Sequence, residues 1–161
     1  MAFVDEVTIY ATAGKGGEGG VGWLRWKEKA RGWRSGGGGG RGGDVILVGV
    51  RDYAALSNYR YEKKFRAEGG GVGKGELKRG LDGEPVLLKV PVGTFARVIQ
   101  TGDEYEITKE DERIVLFRGG KGGLGNARFK SSTKQNPFER TLGKDGKAGD
   151  IELTLKIIAD V

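Results

Sequence analysis

An all-β chain is predicted: a small strand-built base, closed into a barrel or sandwich, carrying a bundle of glycine-rich left-handed helices of the polyproline II type. Three observations predict it. Short apolar runs recur with turn residues between them; 26 of the 32 glycines crowd into five segments; and positive charge gathers in those segments rather than in the runs. A length of 161 residues suits one domain. With no Cys and no His, there is no disulfide framework, no thiol chemistry and no ordinary nucleophile–base pair, and a metal would have only oxygen ligands. No apolar stretch is long enough to span a membrane and no secretory leader opens the chain, so a cytoplasmic location is expected.

The strand runs come in order. Phe3–Ala11 places Val7 and Ile9 on one face and Thr8 and Tyr10 on the other. Asp44–Val50 is nearly continuous in apolar residues, as a strand covered on both faces would be. Pro85–Val90, Thr94–Ile99, Glu104–Thr108 and Arg113–Phe117 follow at hairpin-like intervals, with turn signals at Val92–Gly93 and Thr101–Asp103. Ile151–Ile158 alternates, with Ile151, Leu153, Leu155 and Ile157 to one side. One helical turn is suggested near Tyr53–Asn58.

Between the runs lie Gly14–Gly22, Gly36–Gly43, Gly69–Gly75, Gly119–Gly125 and Gly143–Gly149. Gly16, Gly19 and Gly22 recur every third residue, as do Gly119, Gly122 and Gly125, and Gly143, Gly146 and Gly149. Three residues is the repeat of the polyproline II helix, and a glycine row at that spacing is a side-chain-free edge along which such helices can pack closely. Flexible linkers are the alternative reading, although linkers ordinarily carry serine and lack a triplet register. Ordering this much glycine opposes folding, so backbone hydrogen bonds between helices must offset it.

Residues 14–43, 60–80 and 117–149 have net charges of +5, +4 and +6, which leaves −9 for the rest against the total of +6. A cationic glycine-rich end and an anionic strand end argue for a polyanionic partner met by one end. Trp23, Trp26 and Trp33 interleave with arginines and lysines, a composition suited to stacking on bases while bridging phosphates, with packing of Trp23 against the base as the structural alternative. Apparent nucleotide motifs fail. Residues 17–22 and 120–125 fit GxGxxG by glycine abundance with no following helix, and Gly75 replaces the Ser or Thr required after Gly73–Lys74. Glu110 and Glu112 are read as solvated turn residues rather than paired catalytic acids.

Several stretches then carry a resemblance. Phe3–Ile9 (FVDEVTI), Ala13–Gly20 (AGKGGEGG), Gly39–Val45 (GGRGGDV), Gly119–Phe129 (GGKGGLGNARF), Asn136–Pro137, Gly146–Gly149 and Leu153–Val161 occur in an order that resembles the amino-terminal domain of the Obg family of GTPases. The resemblance spans the chain. It implies one domain over 1–161, with glycine-rich helices at about 12–43, 66–84 and 118–150 protruding from barrel strands at about 3–11, 44–50, 85–117 and 151–158. It implies six such helices on a β-barrel base. In the family a run like Ala159–Val161 leads into the P-loop of a GTPase domain, so GTP and magnesium are expected there and no cofactor or metal in this chain. The family further implies a GTP-dependent factor in late assembly of the large ribosomal subunit. This domain's loop tips would meet ribosomal RNA near the peptidyl-transferase region. Its own GTPase domain would be its other partner, and a monomer is expected.

The family's tips align with residues 25–35, 72–83 and 128–143. The RNA-binding set is therefore Arg25, Lys27, Arg31 and Arg34 with Trp26 and Trp33 as stackers, then Lys74, Lys78 and Arg79, then Arg128, Lys130, Lys134 and Arg140. The first tip departs from the family, with Glu28, Ala30 and Arg34 where a Tyr and two Pro are usual and with Trp26 and Trp33 added. Two other functions compete. A general single-stranded RNA binder is suggested by Arg-Gly-Gly at Arg41 and Arg118. A structural glycine-rich scaffold would want a flat, uncharged, Thr-rich face, which this chain lacks.

Overall fold

The computed structural model describes residues 2–21, 23–26, 29–34, 36–75, 77–126 and 141–158, with side chains for 5–21, 36–75, 77–126 and 141–155. Ten strands lie among them: β1 (Ala2–Thr12), β2 (Trp23–Trp26), β3 (Lys29–Arg34), β4 (Val45–Val50), β5 (Lys64–Arg66), β6 (Val86–Pro91), β7 (Thr94–Val98), β8 (Glu104–Glu106), β9 (Arg113–Phe117) and β10 (Ala148–Ile158). A 3-10 helix over Ala55–Arg60 is the helical turn expected two residues earlier.

The all-β expectation holds, but the described strands do not close into one barrel. They divide into a five-stranded sheet in the order β5-β1-β10-β7-β8, a three-stranded sheet β6-β4-β9 and the isolated pair β2-β3. The expected run of hairpins over 85–117 breaks at Val92–Gly93. Gly93 has φ +96°, and the chain there leaves one sheet for the other. The Val92 N–H still donates to Val50 C=O beside β4, while the Gly93 N–H already donates to Ile107 C=O just past β8. Within 85–117, the β7–β8 connection is the one described hairpin, around Gly102 at φ +76°.

Both larger sheets enclose one core. Val7, Ile9 and Ala11 of β1, Ile151, Leu153 and Leu155 of β10, and Ala96 and Val98 of β7 face Val45 and Leu47 of β4, Leu88 and Val90 of β6, and Leu116 and Phe117 of β9. The antiparallel β1–β10 register places Val7 opposite Leu153 and Ile9 opposite Ile151, so period-two alternation buries both apolar rows together. Each fully buried leucine or isoleucine contributes roughly 1.5–3 kcal/mol. The 3-10 helix closes one flank with Leu56 and Tyr59. The Tyr59 hydroxyl donates to Lys89 C=O at 2.7 Å, and its ring meets Phe65 edge-on at 5.4 Å.

Six glycine-rich segments join the strands: a (13–21), b (36–44), c (67–74), d (78–84), e (118–126) and f (141–147). Their backbones bond to one another every third residue. Gly14, Gly17 and Gly20 of a donate to Gly43, Gly40 and Gly37 of b; those same glycines of b donate to Glu68, Gly71 and Lys74 of c; and Gly70 and Gly73 of c donate back to Lys15 and Glu18 of a. The trio is a closed cycle of donors. The same cycle recurs in three more trios: b to c to d and back to b, b to e to a and back to b, and a to f to e and back to a.

Glycine density follows from this packing. Segment a is bonded to b, c, e and f, and b to a, c, d and e; five of the nine residues of a and seven of the nine of b are glycine. Outer segments d and f each have only two bonded neighbours and carry one glycine per triplet. A Cβ on Gly17 would fall on Gly71 C=O, and one on Gly40 on Leu81 C=O. Among the described residues glycine has positive φ only at Gly93 and Gly102, so the segments use glycine for close approach rather than for left-handed backbone.

Candidate nucleic-acid interface

The segments have a strand end and a far end. Thr12, Asp44, Arg66, Pro85, Phe117 and Ala148 mark where the sheets take over or hand on the chain. At the other end, Gly20 donates to Gly37, Gly37 to Lys74, Lys74 to Lys78, Asn126 to Gly20, and Gly19 to Thr141. Those residues begin or end segments a to f, so the connections 22–35, 75–77 and 127–140 all leave from this one end. Every cation of the predicted RNA-binding set lies on those connections or within two residues of them.

Two side-chain acceptors extend the ladder between b and e. Gly36 N–H, next in the series after Gly42 and Gly39, meets the Asn126 side-chain oxygen at 2.5 Å, and Asn126 is fully buried. At the strand end the Asp44 carboxylate accepts from Gly119 N–H at 2.7 Å. Neither residue was singled out from sequence. The one signal for Asn126 is its place as the first non-glycine in the 120/123 register of segment e.

The connection between c and d is a tight turn. Lys74 N–H donates to Lys78 C=O at 2.9 Å, and Leu77 lies in the left-handed region at φ +59°, uncommon for a leucine. Lys74, Lys78 and Arg79 are all exposed. Arg79 pairs with the Asp82 carboxylate at 2.9 Å, and the same carboxylate accepts Arg41 N–H at 2.9 Å. The Arg41 N–H first, and the Arg79 guanidinium after it, hold the Asp82 carboxyl below the ordinary carboxylate range. Beside the sheets, Arg60 likewise pairs with Asp5 at 2.7 Å and Arg51 with Glu110 at 2.9 Å.

The first connection is a two-stranded antiparallel hairpin. Trp23 lies opposite Arg34, Leu24 opposite Trp33, and Trp26 opposite Lys29, with an irregularity between Leu24 and Trp26. Arg25, Trp26, Arg31, Trp33 and Arg34 are thus on strand backbone; their side chains, and Lys27 entirely, lie outside the described residues. Arg128, Lys130, Lys134, Arg140 and Gly22 also lie outside them. Of the glycine rows, a Cβ on Gly16 or Gly19 would strike Lys121 or Leu124 carbonyls, one on Gly119, Gly122 or Gly125 those of Gly42, Gly39 or Gly36, and one on Gly143 or Gly146 those of Gly16 or Ala13. Gly149 stands apart. It is in β10 opposite Ala11, where a Cβ would meet the Gln100 side chain.

The nucleotide-like motifs do not fit a nucleotide. Phosphate cradles need free N–H groups, and those of Gly17, Gly19, Gly20, Gly120 and Gly123 already donate to neighbouring segments, as do those of Gly73 and Lys74. No group of three His, Cys, Asp or Glu side chains converges to hold a metal among the described residues. Nor is any helix among them long and apolar enough to cross a membrane.

The class of protein is thus an all-β domain in which a strand platform carries cross-bonded glycine segments whose three basic connections leave from one end. The chain belongs to the GTP1/OBG family, whose model matches residues 4–157, and it is an Obg-type amino-terminal domain. It is 44% identical to a protein named GTPase Obg from Aquifex aeolicus over 160 residues, covering 99% of this chain and 47% of that protein. Identity to GTPase Obg of Anaeromyxobacter sp. is 45% over 162 residues, all of this chain and 46% of the relative. To the Orientia tsutsugamushi (strain Boryong) protein of the same name it is 40% over 164 residues, all of this chain and 49% of the relative. The chain spans about half the length of the curated relatives it matches.

Proposed function

We propose that this domain binds ribosomal RNA of the large subunit, near the peptidyl-transferase region, as the RNA-contacting part of a GTP-dependent assembly factor, and performs no chemistry itself. The observation that carries the reading is the common origin of the three basic connections at the end of the bundle away from the sheets. Phosphate contacts by the tip lysines and arginines supply affinity, and the fixed spacing of the tips supplies selectivity for folded RNA. Trp26 and Trp33 stack on bases. GTP and magnesium act in a separate GTPase domain of the longer relatives, with which this domain communicates as a cytoplasmic monomer.

Segments a to f are polyproline-II-type coils in this reading. Their hydrogen bonds repeat every three residues, the period of that helix, and their described glycines avoid positive φ. Such coils have no internal hydrogen bonds, so cross-bonding stiffens them only as a bundle.

Sedimentation with large ribosomal subunits at graded salt tests the proposal. Lys78→Ala with Arg79→Ala is expected to weaken binding and to reduce the salt slope by about one to two units, for two phosphates released. An unchanged slope would show that neither touches phosphate. Equal affinity for unstructured RNA would favour the general single-strand binder.

A further inference from the structure

One face of segment b is not covered by another segment. Over it, between d and e, runs an open groove of about 430 Å³. Rows 36/39/42 and 37/40/43 of b are buried against neighbours, whereas Gly38, Arg41 and Asp44 form the third row. Within that row Arg41 N–H is taken by the Asp82 carboxylate. The Gly38 N–H, three residues earlier, has no acceptor among the described residues.

Gly38 is also unusual as a glycine. Beside it, a Cβ on Gly37 or Gly39 would land on the carbonyls of Lys78 or Gly17, but on Gly38 it would meet only Gly123 C=O at 3.3 Å. That is a tight contact rather than an overlap, the same clearance that Gly69 has from Lys15 C=O, so the face at Gly38 is the more open one and a ligand can approach its backbone. The groove walls carry Arg79 and Lys121, both exposed, and Arg41, whose Nε is buried with no hydrogen-bond partner. Leu77 and Leu124 stand in the same walls as exposed leucines, Leu77 on its left-handed backbone.

We propose that this groove seats a phosphodiester group of RNA: a phosphate oxygen accepts the Gly38 N–H as Asp82 accepts that of Arg41, Arg79 and Lys121 neutralise it, and Leu77 and Leu124 flank the attached sugar or base. The proposal rests on the RNA-binding reading above and adds to it a backbone site at Gly38 that shares only Arg79 with the tip cations. Three cations against one carboxylate favour an anion, and the leucines favour a nucleotide unit over an acidic peptide. The groove is continuous with the far end, because Gly37, next to Gly38, is bonded to Lys74 at the turn.

Amide spectra of the glycine-labelled chain test this, with Gly38→Ala identifying the Gly38 resonance by its loss. The probes are inorganic pyrophosphate, a short oligoribonucleotide and a glutamate-rich peptide, each titrated at low salt. Pyrophosphate and oligonucleotide are expected to shift Gly38 saturably and the peptide to leave it in place. Gly38→Ala is expected to weaken oligonucleotide binding several-fold. Should that variant fold poorly, Arg79→Gln with Lys121→Gln must weaken pyrophosphate binding to the same extent. A Gly38 amide unmoved by pyrophosphate overturns the site even if ribosomal subunits bind with a steep salt slope, and an equal response to the peptide overturns the phosphodiester assignment. Saturable pyrophosphate and oligonucleotide shifts without subunit binding would keep the groove and discard the ribosomal reading.

Discussion

The sheets and the glycine segments are held together by opposite means. In the sheets, Leu153 and Ile9 contribute through the size of their side chains, each fully enclosed by other apolar groups. In the segments, Gly17 and Gly40 contribute through having no side chain, because the next carbonyl occupies the space where a Cβ would be. A substitution that adds a methyl group is an overpacking problem in one region and a routine change on much of the other. Close approach in the bundle also means that more than half of its described backbone N–H groups are already spent on cohesion, which leaves function to the ends and to groups, such as Gly38, that face outward.

The sharpest way to break this contrast is to exchange the two kinds of substitution. Leu153→Ala is expected to cost about 2–5 kcal/mol through lost burial and a cavity. Gly17→Ala is expected to cost about 3 kcal/mol through overpacking, while Gly38→Ala costs under about 1 kcal/mol, all read by urea unfolding. A mild effect of Gly17→Ala would mean that the segments pack more loosely than their hydrogen bonds imply. Next in size, Asn126→Ala leaves the Gly36 N–H unpaired in a buried place and is expected to cost about 1–3 kcal/mol. Amide exchange should then accelerate at Gly36 and Gly39 but not in β1 or β10.

Tyr59→Phe, on the sheet side, should cost about 1 kcal/mol for the bond to Lys89. Burial pushes the Tyr59 hydroxyl from 10.0 up to about 12, opposed in part by that hydrogen bond. A folded pKa above the unfolded one means a contribution that is complete below about pH 10 and lost between there and about 12. The chain should therefore lose stability across that window, and Tyr59→Phe should not show this component. Leu77→Gly should be neutral to stabilising, by up to about 1 kcal/mol, since it relieves a left-handed leucine. The smallest effect belongs to Asp82. Its depressed carboxyl contributes above the ordinary carboxylate range, and the contribution fades as acid drives the pH through the lowered value, so Asp82→Asn should flatten the acid limb slightly.

Several elements were legible in the sequence because they obey a short period. The faces of β1 and β10 follow from alternation, and the glycine rows from the triplet. Elements without a period were missed. β5 is three residues, two of them charged, and forms because Tyr10–Thr12 offers it an edge. The β2–β3 pair was read as a loop tip, since Trp23–Arg34 has no clean alternation that a pattern could reveal. Barrel closure was inferred from strand number, but Gly93 redirects the chain between sheets, which local sequence does not distinguish from a hairpin turn.

On its own the sequence determined which residues could approach another backbone closely, because that depends only on a missing Cβ and its spacing. It also determined the separation of charge and the inward faces of the long strands. Only the tertiary structure decided which segment bonds to which, that every bonded trio is a closed donor cycle, and that the three basic connections share one end. The physical reason is that a backbone N–H and C=O are alike at every residue. A glycine row states that a neighbour can come close, and the partner is chosen by the strands that anchor the segments and by the register in which all their hydrogen bonds can be made together.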